Sequence, residues 1–169
     1  MKTKRLTILS LLSAINVVLC IITPIKIVNF KFTFEAFPIL LAALLYGPVD
    51  GLIVGTLGST IYQVLFSGYS ITLTTPLWIL PHALSGLIVG LYAKAHDFNL
   101  SSKQTIFICC LSAILVTSLN TLALLVDSKI YGYYSKALVF GSIPLKIVAG
   151  IILAVIYSSI IPKLTERFR

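Results

Sequence analysis

Acid is scarce in this chain. Five aspartates and glutamates stand against thirteen lysines and arginines, and charged residues of both signs fill only 11% of the 169 positions. A soluble domain carries about 25%, so this chain has too little charge to cover a water-facing surface. With 58% hydrophobic residues and a mean hydropathy of +1.04, lipid is its expected solvent. Catalytic and nucleotide motifs are missing too. No G-x-x-x-x-G-K-[ST] string occurs, so the chain does not hydrolyse a nucleotide by itself. No H-E-x-x-H occurs, nor a nucleophile with a base and an orienting group, so an enzyme is not expected. Cys20, Cys109 and Cys110 have neither metal-ligand nor disulfide spacing and read as small apolar residues. No metal or cofactor is expected. With no linker or low-complexity tract, residues 1–169 read as one domain.

The net charge of +8 raises nucleic acid as a partner, but the positions argue against it. Lysines and arginines gather at the ends of apolar runs, as juxtamembrane residues do. Those runs number six: Leu6–Thr23, Glu35–Tyr46, Val49–Phe66, Pro76–Ala95, Gln104–Val126 and Val139–Ile161. At about 20 residues per crossing they predict an all-α, six-helix transmembrane bundle in the cell membrane. Lys2, Lys4 and Arg5 ahead of the first run imitate a signal peptide. No A-x-A site follows, so an uncleaved first helix is expected. With that end inside, the inner face holds Lys2, Lys4, Arg5, Lys94, Lys103, Lys163, Arg167 and Arg169, and the outer face Lys26, Lys31, Lys129 and Lys136. The bias places both termini in the cytoplasm.

Small residues mark where helices approach closely. Ser10 and Ala14 form a small-xxx-small pair on the first helix, whose one strongly polar residue is Asn16. Gly51, Gly55, Gly58 and Ser59 strip one side of the third helix, and the string GLIVG recurs at Gly86–Gly90. Two polar segments flank the outer face. Pro24–Thr33 is both basic and aromatic, with Lys26 and Lys31. Ser67–Thr75 carries Tyr69. Both are expected to act as gates, although the first could simply rest on headgroups. Tyr131, Tyr133 and Tyr134 fit an interfacial belt.

Polar side chains inside the runs are the costly ones. Lys146 lies within the last run, where a charge costs a few kcal/mol, two residues after Pro144. That proline is expected to kink the helix at the charge. A snorkelling lysine is the plainer alternative. By helical rise, His82 and Asn120 fall about 9 Å below the outer face, Gln63 about 5 Å and Lys146 about 10–15 Å. Trp78 shares the face of His82 at i, i+4. Glu35 and Asp127 are read at the outer rim, and Asp50, Asp97 and Glu166 as helix-end or loop charges on the inner side. His82 and Asn120 could each serve packing alone. Taken together, these residues predict a cup in the outer half, suited to a flat heteroaromatic ligand with an anionic part. A pore or proton relay would need polar groups through the full thickness.

The glycine-rich third helix, the stretch RLTILSLLSAINVVL and the stretch DSKIYGYYSKALVFGSIPLKIVAG carry a resemblance. The chain is similar to the substrate-binding S-components of energy-coupling factor (ECF) vitamin transporters, most of all the folate-specific ones. The resemblance implies capture of folate or a related vitamin outside. It also implies association with a transmembrane coupling protein and two ATPase subunits, and delivery of the ligand by tilting in the membrane. In this family the first helix often carries A-x-x-x-A against the coupling protein; Ser10 and Ala14 match it with serine at the first position. The same fold serving pantothenate, pyridoxine or a pyrimidine, and a structural membrane protein without a ligand, remain alternatives.

Overall fold

The computed structural model describes residues 2–22, 25–27, 30–68 and 70–168; side chains at 2, 25–27, 30–32 and 166–168 fall outside the description. Its helices are α1 (Lys2–Ile22), α2 (Ala36–Tyr46), α3 (Pro48–Ile61), α4 (Thr75–Ala95), α5 (Ser102–Ile130), α6 (Lys136–Phe140) and α7 (Ile143–Phe168). Six of these build the bundle, and α6 is a five-residue prelude to α7. Among the described residues five spans are long and apolar enough to cross a bilayer, and α2 is the short one. Leu6, Leu11, Ile22, Leu57, Leu111, Leu122, Val148 and Ile152 are exposed on the outside of the bundle, as lipid-facing residues must be.

Contacts sort the turns to two ends. Arg5 bonds Asp50 through Nε at 2.7 Å and Nη2 at 2.5 Å, and its guanidinium lies 5.9 Å from the centre of the Tyr46 ring. Gly47 meets the Phe98 ring at the same end, where a Cβ on Gly47 would sit 3.3 Å away. Gly47 also has φ +101, a backbone that favours glycine. Opposite, Thr74 and Tyr133 both donate to Asp127. This is the division of turns that the lysine and arginine pattern predicts. Asp50, read from sequence as a helix-end charge, is a buried carboxylate paired with Arg5.

The two GLIVG strings face each other. A Cβ on Gly86 would lie 2.2 Å from the Gly51 carbonyl oxygen, and one on Gly55 would lie 2.5 Å from that of His82. Backbones meet there with no room for a side chain, which is the purpose of small residues between membrane helices.

Four features depart from the expectation. The segment before α2 holds two antiparallel strands, β1 (Ile25–Ile27) and β2 (Phe30–Phe32), with Lys26 opposite Lys31. The third run does not stay α-helical: Tyr62–Phe66 is a π-helical turn. The last run is broken at Gly141 and Ser142, so Val139–Ile161 is not one helix. Pro144 therefore sits in the first turn of α7, where a missing N–H costs nothing, and kinks nothing. Finally, Glu35 is not at the rim. The 11 residues of α2 rise only about 16 Å from the end holding Gly47, which leaves Glu35 near half depth.

Two outcomes are expected in detergent. Gly86→Val forces α3 and α4 apart and lowers the melting temperature, by an overpacking cost of about 1–3 kcal/mol, whereas Leu73→Ala at a fully exposed site does not. Arg5→Ala strands the buried Asp50 carboxylate at about 1–3 kcal/mol, and adding Asp50→Asn recovers part of the loss. Thermal unfolding of the purified protein reads both.

Candidate functional site

A cavity of about 1190 Å³ opens between the helices. One group of walls comes from α1 to α4, including Cys20, Glu35, Gln63, Trp78 and His82; the facing group comes from α5 to α7, including Asn120, Lys146 and Tyr157. Exposed Ser70, Tyr131 and Tyr133 form part of its rim. Such a volume holds a bicyclic ligand with a tail.

Each polar wall has a local cause. Gln63 and Tyr62 lie in the π-helical turn, which widens the helix and turns their side chains toward the cavity; π turns recur at functional sites for this reason. Trp78 and His82 share one face of α4, and Pro81 between them lies inside the helix. Lys146 is half-buried in the first turn of α7, and its N–H donates to the Ser142 carbonyl at 2.9 Å. It lines the cavity, where the snorkelling alternative would have sent it to the headgroups.

Glu35 is the electrostatic centre. Its Oε1 lies 3.5 Å from His82 Nε2. Cys20 donates its S–H to Oε2, and Asn16 Nδ2 donates to the Glu35 carbonyl at 2.6 Å. Tyr157 packs beside this group, its ring 5.6 Å from Phe37 and 6.4 Å from Phe34. The hydroxyl of Tyr157 and Nδ1 of His82 are both buried without a hydrogen-bond partner. At the rim, Asp127 accepts from Thr74 and Tyr133 and ties the start of α4 to the segment after α5.

Six sequence-chosen residues therefore surround one cavity: Lys146, His82, Asn120, Trp78, Gln63 and Glu35. Tyr69 lies outside the described residues, as do the side chains of Lys26 and Lys31. Ser10 and Ala14 are exposed on α1. Sequence reasoning missed Tyr157, Cys20 and Cys109 on the cavity wall. Nothing in an apolar run distinguishes a tyrosine or thiol that faces a void from one that faces a neighbour.

An apolar bundle with a large polar-walled cavity defines a membrane-embedded binding subunit. Its family follows from comparison: a model of the ECF-type riboflavin transporter S component matches residues 1–166, and the chain belongs to that family. Three solved structures share its fold. One is described as the S component of a bacterial ECF transporter, with TM-score 0.72, 29% identity, and coverage of 100% of this chain and 99% of the other. The S component for biotin from an ECF-type ABC transporter gives 0.70 at 18% identity, covering 98% and 92%. FolT bound with folic acid gives 0.63 at 20% identity, covering 91% and 93%. No curated protein sequence matches the chain.

Trp78 is the chain's one tryptophan and lines the cavity. A ligand entering the cavity is expected to change its emission, and Trp78→Phe to abolish that signal while leaving the protein folded. Titration of the purified protein checks this.

Proposed function

We propose that this S component captures folate at the outer face and hands it inward as the substrate-specific subunit of an ECF importer. The observation that carries the reading is the placing of charge in the cavity: the Glu35 carboxylate on one wall and Lys146 on the other, with Asp127 at the rim tied to Thr74 and Tyr133. A pterin ring offers adjacent N–H donors that a carboxylate accepts in pairs. The glutamyl tail offers carboxylates that a lysine and the outer lysines attract. Trp78 then stacks on a ring, and Asn120, Gln63 and His82 bond its remaining heteroatoms. Tyr69, Lys26 and Lys31 belong to the two segments that close over the ligand. The ligand is taken up without chemical change, and ATP is hydrolysed by partner chains.

A second reading is riboflavin, and the family match over residues 1–166 favours it. Riboflavin is uncharged, so it leaves the lysines without a partner, yet its flat tricycle fits the same volume. Ser10 and Ala14 are the proposed contact with the coupling protein.

Equilibrium binding of folate and riboflavin to the purified protein decides between the vitamins. Under the folate reading Lys146→Ala weakens folate about 10- to 100-fold, equivalent to about 1.4–2.8 kcal/mol. Tight riboflavin binding with none for folate replaces the first reading by the second. Ala14→Trp is expected to stop ATP-driven uptake in liposomes containing the whole transporter while leaving the binding constant within a factor of about two.

A further inference from the structure

Asn16 is an expensive residue for its position. It is 1% exposed in the middle of α1, and its Oδ1 has no hydrogen-bond partner. An amide that leaves half its capacity unspent in an apolar interior costs about 1–3 kcal/mol. Packing alone does not call for it. The side chain lies against Gly58 of α3 so tightly that a Cβ at 58 would stand 2.2 Å from Oδ1. What the amide does spend goes to one place, the backbone carbonyl of Glu35, at 2.6 Å.

One turn further along the same stripe of α1, Cys20 is 2% exposed and donates to the carboxylate of the same glutamate. Asn16 thus holds the main chain of residue 35 and Cys20 holds its side chain. Glu35 occupies the N-cap position of α2 but its carboxylate makes no capping bond. It is drawn away from the helix end and into the cavity wall instead. Its other oxygen faces His82 Nε2 at 3.5 Å. Both carboxylate oxygens are therefore oriented, and the group lines the cavity.

We infer that Asn16 and Cys20 are positioning residues that aim the Glu35 carboxylate at the paired N–H donors of a 2-amino-4-oxopyrimidine ring edge. The inference rests on the reading of Glu35 as a ligand-facing acceptor and deepens it. It assigns specificity for the amino group to α1, the helix that also displays Ser10 and Ala14 on its exposed side. A ring whose 2-amino group is replaced by methyl loses one of the two bonds. A Glu35 that is free to turn loses the geometry that makes the pair worth more than either bond alone.

The test uses the purified full chain and two probes, folate and its 2-desamino-2-methyl analogue, with melting temperature confirming that each variant is folded. Wild type is expected to prefer folate by about 10-fold or more, the value of one good hydrogen bond to a charged group. Glu35→Gln, Cys20→Ala and Asn16→Ala should each collapse that preference to below about threefold, while Cys20→Ser, which restores an O–H donor, should return most of it. Should Asn16→Ala fail to fold, the alanine and serine variants at Cys20 decide the matter alone. If Glu35→Gln erases the preference but Cys20→Ala keeps it in full, the positioning role is overturned and the folate reading stands. If wild type binds both probes equally, the inference falls and the folate reading stands; if it binds neither, both fall.

Discussion

Glu35, on the wall of the open cavity, is the residue on which three helices converge. Cys20 of α1 and His82 of α4 meet its carboxylate, and Asn16 of α1 holds its backbone carbonyl. Satisfying one side chain therefore fixes how deep α1, α2 and α4 sit relative to one another.

The donors can reach Glu35 only because α3 takes up almost no space. Gly51 and Gly55 let α4 close on α3 to backbone contact, and Gly58 makes room for the Asn16 side chain of α1. In lipid no hydrophobic force drives that closure, and dispersion between tightly fitted backbones takes its place. The polar faces of α1 and α4 are then turned together on the far side, where the cavity begins. The glycine seam and the cavity are two consequences of one arrangement: where side chains are absent the helices touch, and where they are large and polar a void remains.

The cavity lies between α1–α4 on one side and α5–α7 on the other, with Glu35 on the first wall and Lys146 and Asp127 on the second. Under the proposed reading, a ligand carrying donors at one end and an anion at the other bridges both walls. Binding in this way needs no chemical step. As a member of the S-component family, the chain pairs with an ECF module, and it carries no G-x-x-x-x-G-K-[ST] string of its own. Ser10 and Ala14 are exposed small residues of α1.

Composition determined the solvent, and apolar runs of membrane length determined the number of helices and the end on which each turn falls. These are sums over many residues, insensitive to any single one. His82, Asn120, Gln63 and Lys146 could also be assigned to the outer half by helical rise alone, and Trp78 by sharing the face of His82, because a polar side chain in lipid has few places to go. Where the rise of one helix was not its full span, the estimate failed. Glu35 was put at the rim since nothing in AFPILLAALLY says that the helix begins at half depth. Pro144 was read as a kink since the break at Gly141 and Ser142 depends on how α6 and α7 pack. Cys20 and Asn16 looked like filler and a lone amide. Only the folded bundle brings both to one glutamate, because such contacts join positions 15 and 19 residues apart through a hairpin that no local propensity specifies.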